Sequence, residues 1–133
     1  MTTAHAAFMG LALVVAGATA AAQEQSEQRP VEITAASTDA PTVAVKTAVT
    51  EAFKLSPYFR ISTGAQPGTL MVVFPKEVEA RTHMGRTEYL YRVEFRATNG
   101  RLLEQNWGSC WADDVQKCVF NVLKIANRVM ARG

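Results

Sequence analysis

The chain has 133 residues and a formal net charge of +2, from 14 basic and 12 acidic side chains. Its length leaves room for one ordinary domain, and a hydrophobic fraction of 48% excludes a disordered chain. The small basic excess argues against a protein dedicated to nucleic-acid binding, which needs a denser basic surface.

The first part of the chain is predicted to be an export signal. Residues 6–22 carry no charged side chain, end in Ala20-Ala21-Ala22 and precede a polar run. An apolar stretch followed by an A-x-A site is typical of a secretory signal peptide, so we expect a periplasmic or secreted protein, cleaved after Ala22 or, alternatively, after Ala20. A transmembrane anchor needs about 20 strongly apolar residues, and this alanine-rich segment is shorter. We therefore expect no stable membrane anchor after cleavage, a polar linker over 23–30 and a single domain over 31–133.

The first half of this domain is predicted to contain three strands and a helix. Residues 31–34 alternate as a short strand does, and the apolar residues between Pro41 and Leu55 recur at helical spacing. Thr38 or Asp39 suits the helix start. Short strands are expected at 58–62 and 69–74, the second apolar on both faces and therefore central. The charged residues of 76–88 are expected to form a hairpin with its turn at 81–86.

Residues 87–98 show the clearest alternation in the chain. Tyr89, Tyr91, Val93 and Phe95 point to one side, which we expect to face the core. The other side is expected to face water. We predict that Tyr91, Val93 and Phe95 are buried together with Val119 and Val122.

The dipeptide Asn99-Gly100 predicts a hairpin after this strand. A two-residue loop would pair Phe95 with Glu104, whereas a three-residue loop pairs Phe95 with Leu103 and Tyr91 with Trp107. The second choice keeps apolar residues opposite apolar residues. We therefore predict the three-residue loop, with Gly100 in the left-handed conformation.

The last element is predicted to be a helix over 112–131 that presses a broad apolar stripe on the sheet. Cys118 lies in that stripe, and Cys110 precedes the helix. In an oxidising compartment an even pair of cysteines favours a disulfide, and two free core thiols are the alternative. The spacing Cys-x7-Cys fits neither a zinc site nor a thioredoxin-type motif, so we expect no metal and no cofactor.

These elements follow the order βαββββα. Two helices can cover one face of a mostly antiparallel sheet of four to five strands, which predicts an α+β two-layer sandwich with an open second face. The order, with the segments AFKLSPYFRI, TLMVVF and YLYRVEFRATNGRLLEQNW, resembles a periplasmic module. That module is known from the amino-terminal domain of TolB, the curli-secretion lipoprotein and the lipoprotein activators of penicillin-binding proteins. The resemblance implies a non-catalytic domain that binds protein partners in cell-envelope complexes.

Catalytic templates are missing from the sequence: there is no G-x-S-x-G elbow, no P-loop and no H-E-x-x-H. We therefore expect no catalytic residues and a binding or accessory module of the envelope, without nucleic-acid binding. An inhibitor or immunity-type protein that blocks an enzyme is the alternative. A small hydrolase that uses Glu77, Glu79, Glu88 or His83 is the third interpretation.

The expected partner surface is the open sheet face together with the charged hairpin. Arg92 and Arg96 point outward with Glu94 between them, and arginine forks suit carboxylate-rich partners. We expect their charges to be exposed and to contribute little to stability. The hairpin adds Arg81, His83 and Arg86. The competing interpretation is that these charges only keep the face soluble.

Overall fold

The computed structural model describes residues 28–64 and 66–132, which form six strands and two α-helices. The predicted export signal and most of the predicted linker lie outside these residues. The elements, in chain order, are β1 (Arg29–Ala35), α1 (Ala40–Leu55), β2 (Phe59–Ile61), β3 (Leu70–Phe74), β4 (Glu79–His83), β5 (Arg86–Arg96), β6 (Leu102–Trp111) and α2 (Gln116–Arg132). β1 begins inside the predicted linker, because Arg29 and Pro30 already pair with β2.

The long strand β5 organises the sheet. β6 pairs with β5 along one side, while β3 and β4 pair with successive halves of its other side. β1 lies between β2 and β3 and is parallel to both. The predicted α+β sandwich is confirmed, with six strands rather than four to five and with two of its five strand pairings parallel. The parallel pairing of β1 and β2 follows from the crossover through α1.

The additional strand is β4, at a place where the sequence predicts a charged turn. All five of its residues are exposed, so no apolar alternation marks it as a strand. Backbone pairing with β5 holds it, and a two-residue turn joins the two strands. Both turn residues have positive φ, 54° at Met84 and 74° at Gly85. That conformation matches the twist of a tight hairpin.

The core lies between the sheet and the two helices. Tyr91, Val93, Phe95, Val119 and Val122 are buried in one cluster, as predicted. Further members come from the other strands, from α1 and from α2, among them Val31, Leu70, Val72, Phe74, Val45, Val49, Phe53, Ile125, Ala126 and Val129. This cluster closes the inner face of the sheet and leaves the outer face without a covering layer among the described residues.

The turn between β5 and β6 has the predicted form. Ala97 N donates to Arg101 O at 2.9 Å, Gly100 N donates to Ala97 O at 2.9 Å, and Gly100 has φ 86°. The predicted register beyond the turn is wrong. A bulge between Phe95 and Arg96 shifts the ladder, so Phe95 pairs with Glu104.

Two contacts explain why the polar register is tolerated. Glu104 faces the helix layer, where Arg128 and Arg132 of α2 neutralise it at 2.8 and 2.9 Å. Tyr91 lies opposite Gly108, and its ring occupies the space that a larger residue would need. Burial raises the pKa of the Tyr91 hydroxyl.

The predicted disulfide between Cys110 and Cys118 is confirmed, with a Cα–Cα distance of 5.6 Å. A short 3-10 turn, Ala112–Asp114, occupies the predicted first turn of the last helix and lets the chain fold back. The disulfide therefore joins the end of β6 to the start of α2.

Among the described residues, no helix combines the length and the apolar character that a bilayer crossing requires.

Candidate functional site

The outer face of β5 and β6 is the surface that the sequence marks for partner binding. Side chains alternate along each strand, and directly paired residues share a face. We use the name open face for this set, which comprises Glu88, Leu90, Arg92, Glu94 and Arg96 of β5 and Gln105, Trp107, Ser109 and Trp111 of β6. The helices pack on the opposite side, so within the part of the chain that the structure describes no layer covers the open face.

Three charged residues form a network at the centre of the open face. Glu94 accepts hydrogen bonds from Arg92 Nη2 at 3.0 Å and from Arg96 Nε at 3.1 Å. Arg92 Nη2 also donates to Gln105 Oε1 at 3.1 Å, and Arg96 Nη1 donates to Gly100 O at 2.6 Å. The network fixes both guanidinium groups on the sheet surface.

This geometry corrects the expectation of freely exposed charges. The Glu94 side chain is only 8% exposed, and those of Arg92 and Arg96 are 26% and 34% exposed. The two arginines already hold a carboxylate of their own chain, because a buried charge requires a partner. A carboxylate of a partner protein would have to share these forks with Glu94. We therefore predict that the arginines contribute to stability through Glu94, contrary to the expectation from the sequence.

Trp107 is the residue of the open face that the predicted register misplaces. It lies opposite Arg92 rather than Tyr91, so its ring is on the outer face and 63% exposed. The guanidinium of Arg92 lies 5.0 Å from the ring centroid, within cation–π range. The signal in the sequence was Gly108, the small residue that a tyrosine ring needs opposite it.

A shallow groove of about 280 Å³ runs beside Trp107 on this face. Charged groups of both signs surround an aromatic and an aliphatic side chain there. Its lining includes Lys76, Glu77, Glu79, Arg81, Leu90, Arg92 and Trp107. Glu77 and Glu79 of the hydrolase interpretation are therefore near the open face, with the loop and β4 placing them there. Arg81 lies beside them, with its Nη2 2.9 Å from Glu79 Oε2.

The β4–β5 hairpin places its other predicted residues against Trp111. Arg86 stacks on the Trp111 ring at 4.1 Å and donates to Asp113 Oδ1 at 2.8 Å. The His83 ring centroid is 5.0 Å from that of Trp111, and His83 Nε2 is 3.6 Å from Glu88 Oε1. These contacts tie the hairpin to the end of β6, so Arg86 and His83 serve the packing of the open face. Their role in partner binding stays a prediction.

A second exposed apolar surface lies in the helix layer, between the end of α1 and the start of α2. Phe120 of α2 is 67% exposed. Together with exposed Leu55 and Tyr58 it borders a shallow groove of about 510 Å³. We call these three residues the helix-side patch.

Within residues 28–64 and 66–132, no three His, Cys, Asp or Glu side chains meet as a metal site requires.

Comparison with known proteins gives distant structural matches. No protein-family model matches the chain, and no curated protein matches it. The PelC dodecamer from Paraburkholderia phytofirmans is 13% identical with a TM-score of 0.44, over 64% of this chain and 70% of that chain. A minor lipoprotein from Acinetobacter baumannii is 8% identical with a TM-score of 0.39, over 77% of this chain and 87% of that chain. Similarity at this level carries no argument about function, and the resemblance to the TolB-type module stays a prediction.

Proposed function

We propose that this chain is a non-catalytic accessory protein of the cell envelope that binds a protein partner through its open face. The observation that carries the proposal is Trp107, a large aromatic side chain that stands exposed on β6, on a sheet face that no layer covers among the described residues. Exposed tryptophans beside arginines are enriched among the residues that contribute most to protein binding. The resemblance to periplasmic partner-binding modules supports the same proposal.

The compartment is argued from the chemistry of the cysteines and from the predicted export signal. Disulfides form and persist in oxidising compartments and are rare in the cytosol. The pair Cys110–Cys118 joins two elements of the core layer, and the apolar segment 6–22 has the pattern of an export signal. Both features support a periplasmic or secreted location.

Rigidity of the surface favours binding over catalysis. The arginines are held by Glu94, Arg86 is held between Trp111 and Asp113, and β5 beneath them has partner strands on both sides. A preorganised surface loses little side-chain entropy when a partner docks. Trp107 then contributes apolar contact area, and the surrounding charges contribute orientation and specificity.

The experiment is site-specific photo-crosslinking in the living cell. A photoreactive phenylalanine analogue replaces Trp107 in one variant and Thr47, an exposed residue of α1, in a control variant. We expect one envelope protein to be trapped at position 107 and not at position 47. A trapped foreign enzyme would favour the inhibitor interpretation, and equal trapping at both positions, or none at 107, would contradict the proposal.

A further inference from the structure

Among the described residues, three strands lie at edges of the sheet, β2, β4 and β6, and they are protected to very different degrees. β2 forms one edge with three residues and follows Pro57, and both features discourage pairing with another strand. β4 forms a second edge with five residues, two of which, Glu79 and Arg81, are charged. β6 forms the third edge with ten residues, and among the described residues it pairs only with β5. It contains no lysine, arginine or proline, and its one charge, Glu104, is held by Arg128 and Arg132. Beyond the bulge near its start, β6 is a long regular edge without the usual protection.

The register shows which backbone groups of β6 are free. His83 and Arg86 form the pair that closes the tight turn, so the N–H and C=O groups of Arg86 point toward β4. At the other end of β5, the N–H of Ala97 donates to Arg101 O, which lies on the side of β6. Backbone hydrogen-bonding groups alternate in direction along a strand, so the N–H and C=O groups of the odd-numbered residues of β5 point toward β6. The residues of β6 whose N–H and C=O groups point away from β5 are therefore Gln105, Trp107, Ser109 and Trp111. They span about 20 Å, the length of one ordinary strand.

Helix α2 places positive charge beside this edge. Arg128 Nη2 reaches Glu104 Oε1 of β6 at 2.8 Å, and Ser109 of β6 shares a groove of about 430 Å³ with residues of α2. Helical spacing puts four polar residues in one line on that side of the helix. We call them the basic stripe: Lys117, Asn121, Lys124 and Arg128. Lys117 lies 3.7 Å from Asp114 and Arg128 lies 2.8 Å from Glu104, so these two carboxylates offset part of the positive charge of the stripe.

We propose that β6 accepts an extended, acidic segment of a partner protein as an additional strand of the sheet. This inference rests on the proposed function and specifies the binding mode of the same surface. The free backbone groups of β6 supply hydrogen bonds, as in other cases of strand addition. Alternate side chains of the added strand face opposite layers, so the acidic ones meet the basic stripe and the apolar ones lie beside Trp107.

Charge decides between this partner and a second copy of the chain. Antiparallel pairing of two β6 strands would place both α2 helices on the same side of the joint sheet, with their basic stripes next to each other. Like charges at close range repel, whereas glutamates of a partner segment are attracted to the stripe. The edge therefore fits an acidic strand better than it fits itself.

Hydrogen exchange of the exported chain, purified from the periplasm, tests the proposal. The probe is a short synthetic peptide that alternates glutamate with valine and threonine, and the control peptide carries lysine in place of glutamate. In the free protein we expect rapid exchange at the amides of Gln105, Trp107 and Ser109. The glutamate peptide should slow it by about tenfold or more and lose this effect at high salt, and the lysine peptide should leave it unchanged.

Two variants separate the edge from the charge. Ser109→Pro removes one outward N–H without taking a hydrogen bond from β5, and Ser109→Ala is its matched control. We expect the proline variant to bind the glutamate peptide at least about tenfold more weakly, and the alanine variant to bind like the parent. Lys117→Glu with Lys124→Glu should reverse the preference, so that the lysine peptide binds better. Both lysines are exposed, and the pair of Lys117 with Asp114 is exposed as well, so we expect this variant to keep its fold.

Several results would overturn the inference. Slow exchange at the edge amides of the free protein would mean that a second copy or another segment of the same chain already covers β6, and light scattering would tell which. Absence of protection by the glutamate peptide would also overturn the inference. If the protein trapped at position 107 binds Ser109→Pro as tightly as the parent, the proposed function stands while strand addition is wrong. If no protein is trapped there, the proposed function fails, and the peptide experiment still tests whether β6 accepts an added strand.

Discussion

The double substitution Arg92→Ser with Arg96→Ser should destabilise the fold, because it removes both partners of a buried carboxylate. Glu94 is 8% exposed and accepts charge-assisted hydrogen bonds from each arginine at 3.0 and 3.1 Å. A hydrogen bond to a charged group contributes about 1.5–3 kcal/mol. Since both arginine side chains are partly exposed, solvent screening reduces that contribution. We expect a loss of about 2–4 kcal/mol in the free energy of unfolding.

Two further variants show whether the buried charge is the cause. Adding Glu94→Val to the double variant removes the unpartnered carboxylate and leaves a residue that suits a strand, so it should recover more than half of the loss. Arg81→Ser breaks the pair with Glu79, which is exposed on both sides, and should change stability by less than about 0.5 kcal/mol.

Urea titration with the disulfide intact measures all four proteins. The transition midpoint reports stability when the slope is unchanged. A double variant within about 0.5 kcal/mol of the parent would show that the network is not a buried one. A triple variant no more stable than the double variant would show that the loss comes from something other than the orphaned carboxylate.

Three other predictions concern the hairpin, the disulfide and the export signal. Gly108→Ala places a Cβ 2.8 Å from Tyr91 Cε1 and closer still to its Cζ and hydroxyl oxygen, so it should cost about 1–3 kcal/mol in urea titration, and less in a Tyr91→Ala background. An equal cost in both backgrounds would contradict the contact. Reduction of Cys110–Cys118 should lower the free energy of unfolding by about 2–3 kcal/mol and shift the alkylated mass, and free thiols in unreduced periplasmic protein would contradict the bond. Mass spectrometry of the exported protein should find Gln23 at its amino terminus, and a membrane-bound chain that retains Met1 would refute cleavage.

Periodic patterns predicted the layers of the fold because each layer buries one face. The stripe of α2 and the alternation of β5 placed Val119, Val122 and Phe95 in the core, where they lie. β4 escaped prediction because its residues are exposed, so nothing in its sequence separates a strand from a charged turn. Backbone pairing alone defines it.

The register of β6 was missed for a physical reason that lies outside the hairpin. When the register is chosen by pairing apolar residues, Glu104 opposite Phe95 looks unfavourable. Its ion-pair partners, however, come from α2, and Arg128 lies 24 residues further along the chain. The same error hid Trp107, which pairing by hydrophobicity assigns to the core. The predicted charges of the open face are where the sequence placed them, but their burial around Glu94 depends on the neighbouring strands.

The most direct test of the account is the dissociation constant of the partner trapped at position 107 for two matched aromatic variants. Trp107→Ala changes the open face, and Phe120→Ala changes the helix-side patch, which is exposed to a similar extent. The account predicts that Trp107→Ala weakens binding about tenfold or more, while Phe120→Ala leaves the constant within about twofold of the parent. The opposite pattern, with binding lost in Phe120→Ala and kept in Trp107→Ala, would place the binding site in the helix layer and contradict the account.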